Sequence, residues 1–377
     1  MMVATARKVP LLDLKAQFGP IREQMLREVT RVIDSQRFIL GDEVATFEAE
    51  VARAVGSHYA VGCASGSDAL LLALMALDIA PDQRVITTPY TFFATAGAVS
   101  RAHGVPVFVD INADTFNIDA TLLREELRRH DNVHSVMPVH LFGATAPMDE
   151  IMLAAKERGI HVIEDAAQAI GAEYKGRPAG SIGDLGCFSF FPSKNLGCFG
   201  DGGLITSSSE SLAKKLACLR IHGRTGKYIH EWIGVNSRLD ALQACVLRVK
   251  LQHLNEWTEG RRHNANLYRN LLSNKSLPVK LPVEAPYHTR HIYNQFVIRC
   301  ERRDALRTFL QENGIGSEVY YPLPLHLQSC YKDLGYREGD FPVSEAAARE
   351  TLALPIYAEL QTEDIEYVCH TIERFYS

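Results

Sequence analysis

The stretch Ser189-Phe190-Phe191-Pro192-Ser193-Lys194-Asn195-Leu196-Gly197 places a lysine between aromatic residues and the glycine-rich run Gly197-Cys198-Phe199-Gly200-Asp201-Gly202-Gly203. The face of a solvated helix does not have such flanks, so Lys194 differs from an ordinary surface lysine. Upstream, the apolar run His161-Val162-Ile163-Glu164 ends in an acid, Asp165. The chain therefore carries a lysine in an unusual setting and an acid at the end of a predicted strand.

A lysine and an acid in such positions are the polar groups that pyridoxal 5'-phosphate (PLP) needs most. The lysine forms a Schiff base with the aldehyde, and the acid keeps the pyridine nitrogen protonated, so that the ring acts as an electron sink. A lysine pKa of about 10.4 must be lowered for the amine to attack a carbonyl. Lys194 and Asp165 are thus the candidate catalytic residues. Taken alone, Asp165 fits equally well an acid that caps the following helix.

Short apolar runs alternate with helical patterns over the first two-thirds of the chain. We predict strands at 58–64, 84–87, 105–111, 135–141 and 161–165, and helices at 68–77, 93–103 and 148–158. A further strand is expected at 202–206. Because such alternation requires crossover connections, it predicts an α/β fold with a mostly parallel central sheet. Asp165 would then lie at the carboxyl end of a strand, where ligands bind in open α/β sheets.

The pattern changes after residue 239. Residues 239 to about 272 are predicted as one long helix, or as two helices with a kink, and such a helix often bridges two domains. We then predict strands at 293–298 and 316–320, and helices at 304–312, near 344–352 and at 363–375. Since 377 residues is long for one domain, we predict a large PLP-binding domain at 1–250 and a smaller α+β domain at 251–377.

Composition and charge argue against several classes of function. The formal net charge of -5 and the pI near 6.3 disfavour a general nucleic-acid binder. The eight cysteines form no Cys-x-x-Cys pair and no cluster with zinc spacing, so no metal site is expected. With no apolar signal-peptide core and no apolar run near the length of a membrane span, the chain is predicted to be cytoplasmic, with no membrane partner.

Further candidate site residues follow predicted strands. Small residues around Gly66 at a strand-to-helix turn allow backbone N–H groups to contact an anion, although Ser65 or Ser67 also fits an ordinary helix cap. Gln168 lies three residues after Asp165 and is placed to hydrogen-bond the 3-hydroxyl of the cofactor. Phe92 also follows a strand end, where an aromatic ring either stacks on a flat ligand or joins the core.

Several motifs together resemble the sugar-nucleotide aminotransferases of the DegT/DnrJ/EryC1/StrS group. These motifs span residues 38–41, 65–70, 164–168, 189–203, 234–240 and 320–326. They occur in the family's order and spacing over nearly the whole chain. The resemblance implies the fold-type I PLP architecture, with a mostly parallel sheet in a large domain and a smaller C-terminal α+β domain.

The resemblance also implies a role for each site residue. Lys194 would carry the covalent link to PLP and Asp165 would pair with the pyridine nitrogen. The other implied cofactor contacts are Gln168 to the 3-hydroxyl, Phe92 on the ring, and a phosphate site formed by Ser65, Gly66, Ser67 and Ser189. Asn236 is similar to the family residue that reaches the phosphate of the neighbouring subunit. An obligate homodimer with two shared sites is therefore implied.

The implied reaction moves an amino group from glutamate to a nucleotide-linked keto sugar. Residues 234–244 look most like members that aminate C3 of 3-keto sugars on UDP, or by extension dTDP, including hexuronates. The implied substrate residues are Arg238, Tyr320 and Tyr321. Arg238 would face the partner's substrate pocket, where it fits either a C6 carboxylate or the bracing of a dimer interface. Tyr320 stands where several relatives have His, which leaves the substrate's identity open.

Other functions stay open at this point. A 4-keto sugar aminotransferase is the nearest alternative. A PLP-dependent sugar dehydratase of the same family would carry His in place of Lys194. A non-catalytic regulatory protein with the same fold could lose Lys194 or Asp165, and this chain retains both.

Overall fold

The computed structural model describes residues 7–273 and 275–377. In chain order its strands are β1 Tyr59–Cys63, β2 Arg84–Thr87, β3 Val105–Phe108, β4 Val133–Val136, β5 His161–Asp165, β6 Glu173–Tyr174, β7 Arg177–Pro178, β8 Leu185–Ser189, β9 Gly203–Ser207, β10 Arg224–Gly226, β11 Ile229–His230, β12 Val279–Lys280, β13 His288–Arg290, β14 Phe296–Cys300 and β15 Thr351–Leu354.

The α-helices are α1 Leu14–Phe18, α2 Arg22–Ser35, α3 Asp42–Ala54, α4 Gly66–Ala76, α5 Ala94–Arg101, α6 Ala120–Arg129, α7 Met148–Arg158, α8 Glu210–Leu219, α9 Ala241–Leu251, α10 Leu254–Leu272, α11 Arg303–Glu312, α12 Pro342–Glu350 and α13 Thr362–Tyr376. Short 3-10 helices span Gly19–Ile21, Leu141–Gly143, Leu325–Leu327 and Ser329–Leu334.

One seven-stranded sheet organises the first part of the chain, in the order β1-β9-β8-β5-β4-β2-β3. The five strands from β8 to β3 run parallel, whereas β9 is antiparallel to both of its neighbours. The predicted α/β fold with a mostly parallel sheet is therefore confirmed. Ile163 packs with α4, while the adjacent Val162 packs with α6 and α7, so helices cover both faces.

The sheet also determines where polar side chains meet. Parallel neighbours have their carboxyl ends at one edge, and β5 and β8 end there at Asp165 and Ser189. Asp165 pairs in register with Cys187, two residues before the end of β8. The segment that carries Lys194 follows β8 directly, so it is brought to the same edge as Asp165.

The later half contains its own core. The predicted long helix consists of α9 and α10, the kinked alternative, and α10 packs around a cluster that includes Tyr268, Phe296 and Ile365. Val9 is wholly buried in this cluster, and its N–H donates to the Gly314 carbonyl at 2.9 Å. The start of the described chain thus packs onto the later half. The division at residues 250 and 251 stays a prediction.

Several predicted elements agree with the structure and some do not. The bounds of β2, β5 and α7 agree. The strand predicted at 105–111 is too long, and the strand predicted at 135–141 begins and ends too late. The strand predicted at 316–320 is wrong, because only Glu318 pairs with Ala353 before the chain turns to bring Tyr320 and Tyr321 to a cavity. The sequence patterns do not predict β8 or β15. Within the described residues, no helix combines the length and apolar character needed to cross a membrane.

Candidate active site

A cavity of about 390 Å³ opens at the carboxyl ends of β5 and β8. Ten of the residues singled out from the sequence line it: Ser65, Gly66, Ser67, Phe92, Asp165, Gln168, Ser189, Lys194, Tyr320 and Tyr321. The structure therefore brings together, in one chain, most of the predicted site. Neither Asn236, which is exposed, nor Arg238, which is half-buried, lines this cavity.

Asp165 lies at the bottom of the cavity with only 5% of its surface exposed. Its Oδ2 accepts a hydrogen bond from Thr95 Oγ1 at 2.8 Å, and its Oδ1 accepts one from the Ala167 N–H at 3.2 Å. Burial raises the pKa of Asp165, although these hydrogen bonds and the charge of Lys194 oppose the rise. A buried carboxylate with two neutral donors is suited to a cationic N–H from a ligand, such as the protonated nitrogen of a pyridine ring.

Lys194 occupies a tight turn after β8, where its backbone N–H donates to the Phe191 carbonyl at 2.9 Å. Burial lowers the pKa of its amine to about 8, while the negative charge of Asp165 opposes the change. A lysine with that pKa is a substantial fraction neutral near pH 7 to 8, unlike a surface lysine. The amine is therefore prepared for nucleophilic attack and for proton transfer.

The N-terminus of α4 forms another wall of the cavity. Ser65 caps this helix, with its Oγ accepting from the Asp68 N–H at 3.1 Å, so the alternative of a helix cap is correct for Ser65. A Cβ added at Gly66 would lie 2.6 Å from Ser189 Cβ, so only glycine allows this approach. A helix N-terminus with adjacent serine hydroxyls favours an anion, which fits the phosphate of PLP.

The side chain of Gln168 bridges the cavity wall. Its Oε1 accepts from the Phe142 N–H at 2.8 Å, and its Nε2 donates to the Tyr321 hydroxyl at 3.0 Å. The ring of Tyr321 lies 6.1 Å from that of Phe92, which is 56% exposed. An exposed ring at a cavity mouth is suited to stack on a planar ligand.

Sequence reasoning did not assign several residues of the site. The Thr91 and Thr95 hydroxyl oxygens lie 3.0 Å apart, and Thr95 donates to Asp165. Both threonines lie within three residues of Phe92 in the sequence. Gln295 and Asp201 also line the cavity, and no sequence signal pointed to Gln295. Asp201 lies in the glycine-rich run after Lys194, which was the available signal.

Glu164, the residue before Asp165, was also assigned no role from the sequence, and it does not line the cavity. Glu164 points to the other side of β5 and is wholly buried, as is His140. Burial acts to raise the pKa of Glu164, but the hydrogen bond from His140 and backbone N–H donors, including those of Gly183 and Gly180, outweigh it, so the pKa is lowered. A charged residue inside an apolar strand was the signal that could have identified it.

The fold, with Asp165 at the end of β5 and Lys194 after β8, places this protein in the class of fold-type I PLP-dependent transferases. More narrowly, the chain belongs to the DegT/DnrJ/EryC1/StrS aminotransferase family, whose model matches residues 20–373. The predicted family, fold class, cofactor and transaminase activity are thereby confirmed.

Individual relatives span nearly the whole chain. A protein of Geobacillus stearothermophilus named "Pleiotropic regulatory protein" is 45% identical over 98% of this chain and 98% of its own length. The UDP-N-acetyl-3-dehydro-alpha-D-glucosamine 3-aminotransferase of Acidithiobacillus ferrooxidans is 43% identical over 97% of both chains. The crystal structure of Streptomyces venezuelae DesV with a ketimine intermediate superposes with a TM-score of 0.95, at 40% identity over 98% of this chain and 99% of that chain.

Proposed function

We propose that this protein transfers an amino group from glutamate to C3 of a 3-keto sugar linked to UDP or dTDP. The observation that carries the proposal is the position of Lys194 and Asp165 in one cavity, with the lysine pKa lowered to about 8. The similarity to the 3-aminotransferase of Acidithiobacillus ferrooxidans supports the keto position, since that relative is 43% identical and named for a 3-dehydro sugar nucleotide.

Different residues along the cavity would hold the cofactor, transfer protons and contact the sugar. PLP, when bound, supplies an electron sink. Asp165 would hold the pyridine N–H and α4 with its serines would hold the phosphate, which leaves the amine of Lys194 free to accept and return a proton. Tyr320 and Tyr321, on the wall formed by the later half of the chain, would contact the sugar.

We also propose a homodimer in which Asn236 and Arg238 serve the partner's site. Asn236 is exposed and lies outside the cavity of its own chain, as such a role requires. Several large apolar side chains are exposed: Phe191 is 53% exposed, Phe199 50%, Tyr228, between β10 and β11, 85%, and Ile233 93%. Exposed apolar groups of this size favour burial against another chain. Arg238 would pair with a substrate carboxylate or brace the interface.

A screen of nucleotide sugars tests the proposed substrate. Synthetic 3-keto and 4-keto sugars on UDP and dTDP, each with and without a C6 carboxylate, would be incubated with the PLP-loaded protein and glutamate. We expect amine transfer to a 3-keto compound, with 2-oxoglutarate formed in equal amount. Transfer only to 4-keto sugars would refute the assignment of C3, and formation of a different 2-oxo acid from another donor would refute glutamate.

The name of the Geobacillus stearothermophilus relative raises a non-catalytic regulatory protein as the alternative class. Retention of both Lys194 and Asp165 in the cavity favours the enzyme, because a purely regulatory protein has no need of a reactive amine beside a buried acid. A visible absorption band that shifts when glutamate is added would support the enzyme. A band that is unchanged by any amino donor would support the alternative.

We further propose that the protein works in the cytoplasm, consistent with eight unpaired cysteines.

A further inference from the structure

We propose that Gln243 and Lys250, both on α9, are positioning residues for Lys194. They hold the loop 197–200, which directly follows the lysine segment, and through it they fix where the Lys194 amine stands in the cavity. This inference rests on the proposed role of Lys194 as the cofactor-bound lysine. Gln243 lies at the end of the run 234–244, but the sequence assigned no role to Gln243 or to Lys250, and neither residue lines the cavity.

Gln243 is paired with both backbone polar groups of one residue in the loop, Phe199. Its Oε1 accepts from the Phe199 N–H at 2.8 Å, and its Nε2 donates to the Phe199 carbonyl at 3.1 Å. A primary amide can satisfy a backbone donor and acceptor at once, as a strand partner does. Phe199 is thereby tied to α9 although its own ring is half exposed.

Lys250 holds the same loop two residues earlier. Its side chain is 4% exposed, and its Nζ donates to the Gly197 carbonyl at 2.7 Å and lies 5.0 Å from the centre of the Phe199 ring. Among the residues that the structure describes, no carboxylate forms a salt bridge with Lys250, and burial lowers the pKa of its amine to about 8. A buried amine without an acid is costly, so its contacts to the carbonyl and the ring must compensate.

The loop transmits these contacts to Lys194 because it is short and closed. The Cys198 N–H donates to the Phe190 carbonyl at 2.8 Å, and the Lys194 N–H donates to the Phe191 carbonyl at 2.9 Å. A Cβ on Gly197 would lie 2.4 Å from the Pro192 oxygen, so the two sides of the loop are in direct contact. Movement at Gly197 or Phe199 therefore moves the turn that carries Lys194.

Three variants test the inference, with two matched controls. Lys250→Met keeps length and apolar volume but removes the donor, and its control is Lys214→Met at an exposed lysine on α8. Gln243→Leu removes both hydrogen bonds, and Gln243→Glu keeps the acceptor while removing the donor. The control for Gln243 is Gln311→Leu, at an exposed glutamine on α11.

We expect kcat to fall about tenfold in Lys250→Met and Gln243→Leu, and less in Gln243→Glu, with KM for the sugar nearly unchanged, because misplacing a reacting group affects the reaction step rather than binding. In the cofactor-free protein, hydrogen exchange at the Phe199 and Cys198 amides should accelerate in Lys250→Met and Gln243→Leu and not in the controls. A variant that folds with unchanged kcat and unchanged exchange would overturn the inference. If Lys250→Met does not fold, the two Gln243 variants decide the question.

The test separates this inference from the role of Lys194 itself. Borohydride reduction of the wild-type holoenzyme followed by peptide mapping identifies the lysine that carries the cofactor. Labelling of Lys194 together with unaffected Gln243 and Lys250 variants would overturn only the positioning role. Labelling of a different lysine would overturn the role of Lys194 and, with it, this inference.

Discussion

The Nε2 atom of His140 lies 2.8 Å from Oε2 of Glu164, and both side chains are wholly buried. His140 Nδ1 accepts from the Ala146 N–H at 3.0 Å, so the proton is on Nε2 and is donated to Glu164. The backbone N–H of His140 in turn donates to the Asp165 carbonyl at 3.0 Å. The His140–Glu164 pair lies on the opposite side of β5 and supports the backbone of Asp165, which we propose holds the pyridine nitrogen.

Glu164→Gln should destabilise the protein strongly. The carboxylate accepts hydrogen bonds from His140 and from the N–H groups of Gly180, Ile182 and Gly183, and an amide would present a donor to some of them. Because His140 is neutral no ion pair is lost, and each buried donor left without an acceptor costs about 1–3 kcal/mol. Chemical denaturation at pH 7 measures the free energy of unfolding, with the exposed Glu210 changed to Gln as the control.

The same substitution predicts a pH dependence. The pKa of Glu164 is lowered in the folded protein. Its contribution to stability is therefore present above the pKa that Glu164 has in the unfolded chain, and it is lost as pH falls through the pKa in the folded protein. The difference in stability between wild type and Glu164→Gln should therefore shrink in acid, below roughly pH 4. A difference that stays constant down to the acid unfolding of both proteins would contradict this account.

Lys194→Ala should abolish transamination while the protein still folds and binds PLP without a covalent bond. The cavity keeps Asp165 and the α4 N-terminus, which supply the other predicted cofactor contacts. The measurement is turnover, together with borohydride reduction of the loaded variant. Reduction that still fixes the cofactor to the chain would show that another lysine is the anchor.

Asp165→Asn should reduce turnover by at least roughly 100-fold, the usual scale for losing one electrostatic group at a reacting centre, and should weaken PLP binding much less. The pKa of Asp165 is raised by burial, so its ionised form destabilises the cofactor-free protein increasingly as pH rises from the unfolded value through the folded one. The cofactor-free variant should therefore unfold at a higher temperature than wild type at pH 8.

Two observations would contradict the predictions for Asp165→Asn. Near-wild-type turnover would place the partner of the pyridine nitrogen elsewhere. An equal shift in unfolding temperature for Asp114→Asn, at an exposed aspartate, would show that the stabilisation does not come from relieving a buried charge.

Capture of PLP by the cofactor-free protein should accelerate as pH rises, with a midpoint near 8. Only the neutral amine of Lys194 attacks the aldehyde, and its pKa is lowered to about 8 from the ordinary value near 10.5. Stopped-flow absorbance over a range of pH measures this rate. A rate that continues to rise tenfold per unit beyond pH 9 would mean that the amine titrates as an unperturbed lysine.

Mixed dimers test the shared sites. Inactive Lys194→Ala chains mixed with inactive Asn236→Ala/Arg238→Ala chains should regain part of the activity, since one site of each mixed dimer has all its groups. Lys194→Ala mixed with Asp165→Asn is the matched control, because both residues line the same cavity of one chain and no site would be complete. Confirmed subunit exchange without recovered activity, or an active wild-type monomer, would refute the shared site.

The sequence by itself determined the fold class, the family and most of the candidate site residues that line the cavity. The alternation of short apolar runs and helical patterns is local information, so the bounds of β2, β5 and α7 were predictable. Lys194 and Asp165 were identifiable because their flanks are unusual for a lysine and an acid. The strand β8 was missed, since no helix follows Leu185–Ser189 before β9 and the alternation of strand and helix patterns is interrupted there.

Only the tertiary structure decided which distant residues support those two groups. Thr95 contacts Asp165 because α5 and β5 meet at one sheet edge, and His140 contacts Glu164 because β4 and β5 are adjacent. Gln243 reaches Phe199 because α9 packs beside the lysine loop. These partners have no fixed spacing in the chain, since strand order and helix packing set their distances. No local pattern of residue types could therefore have predicted them.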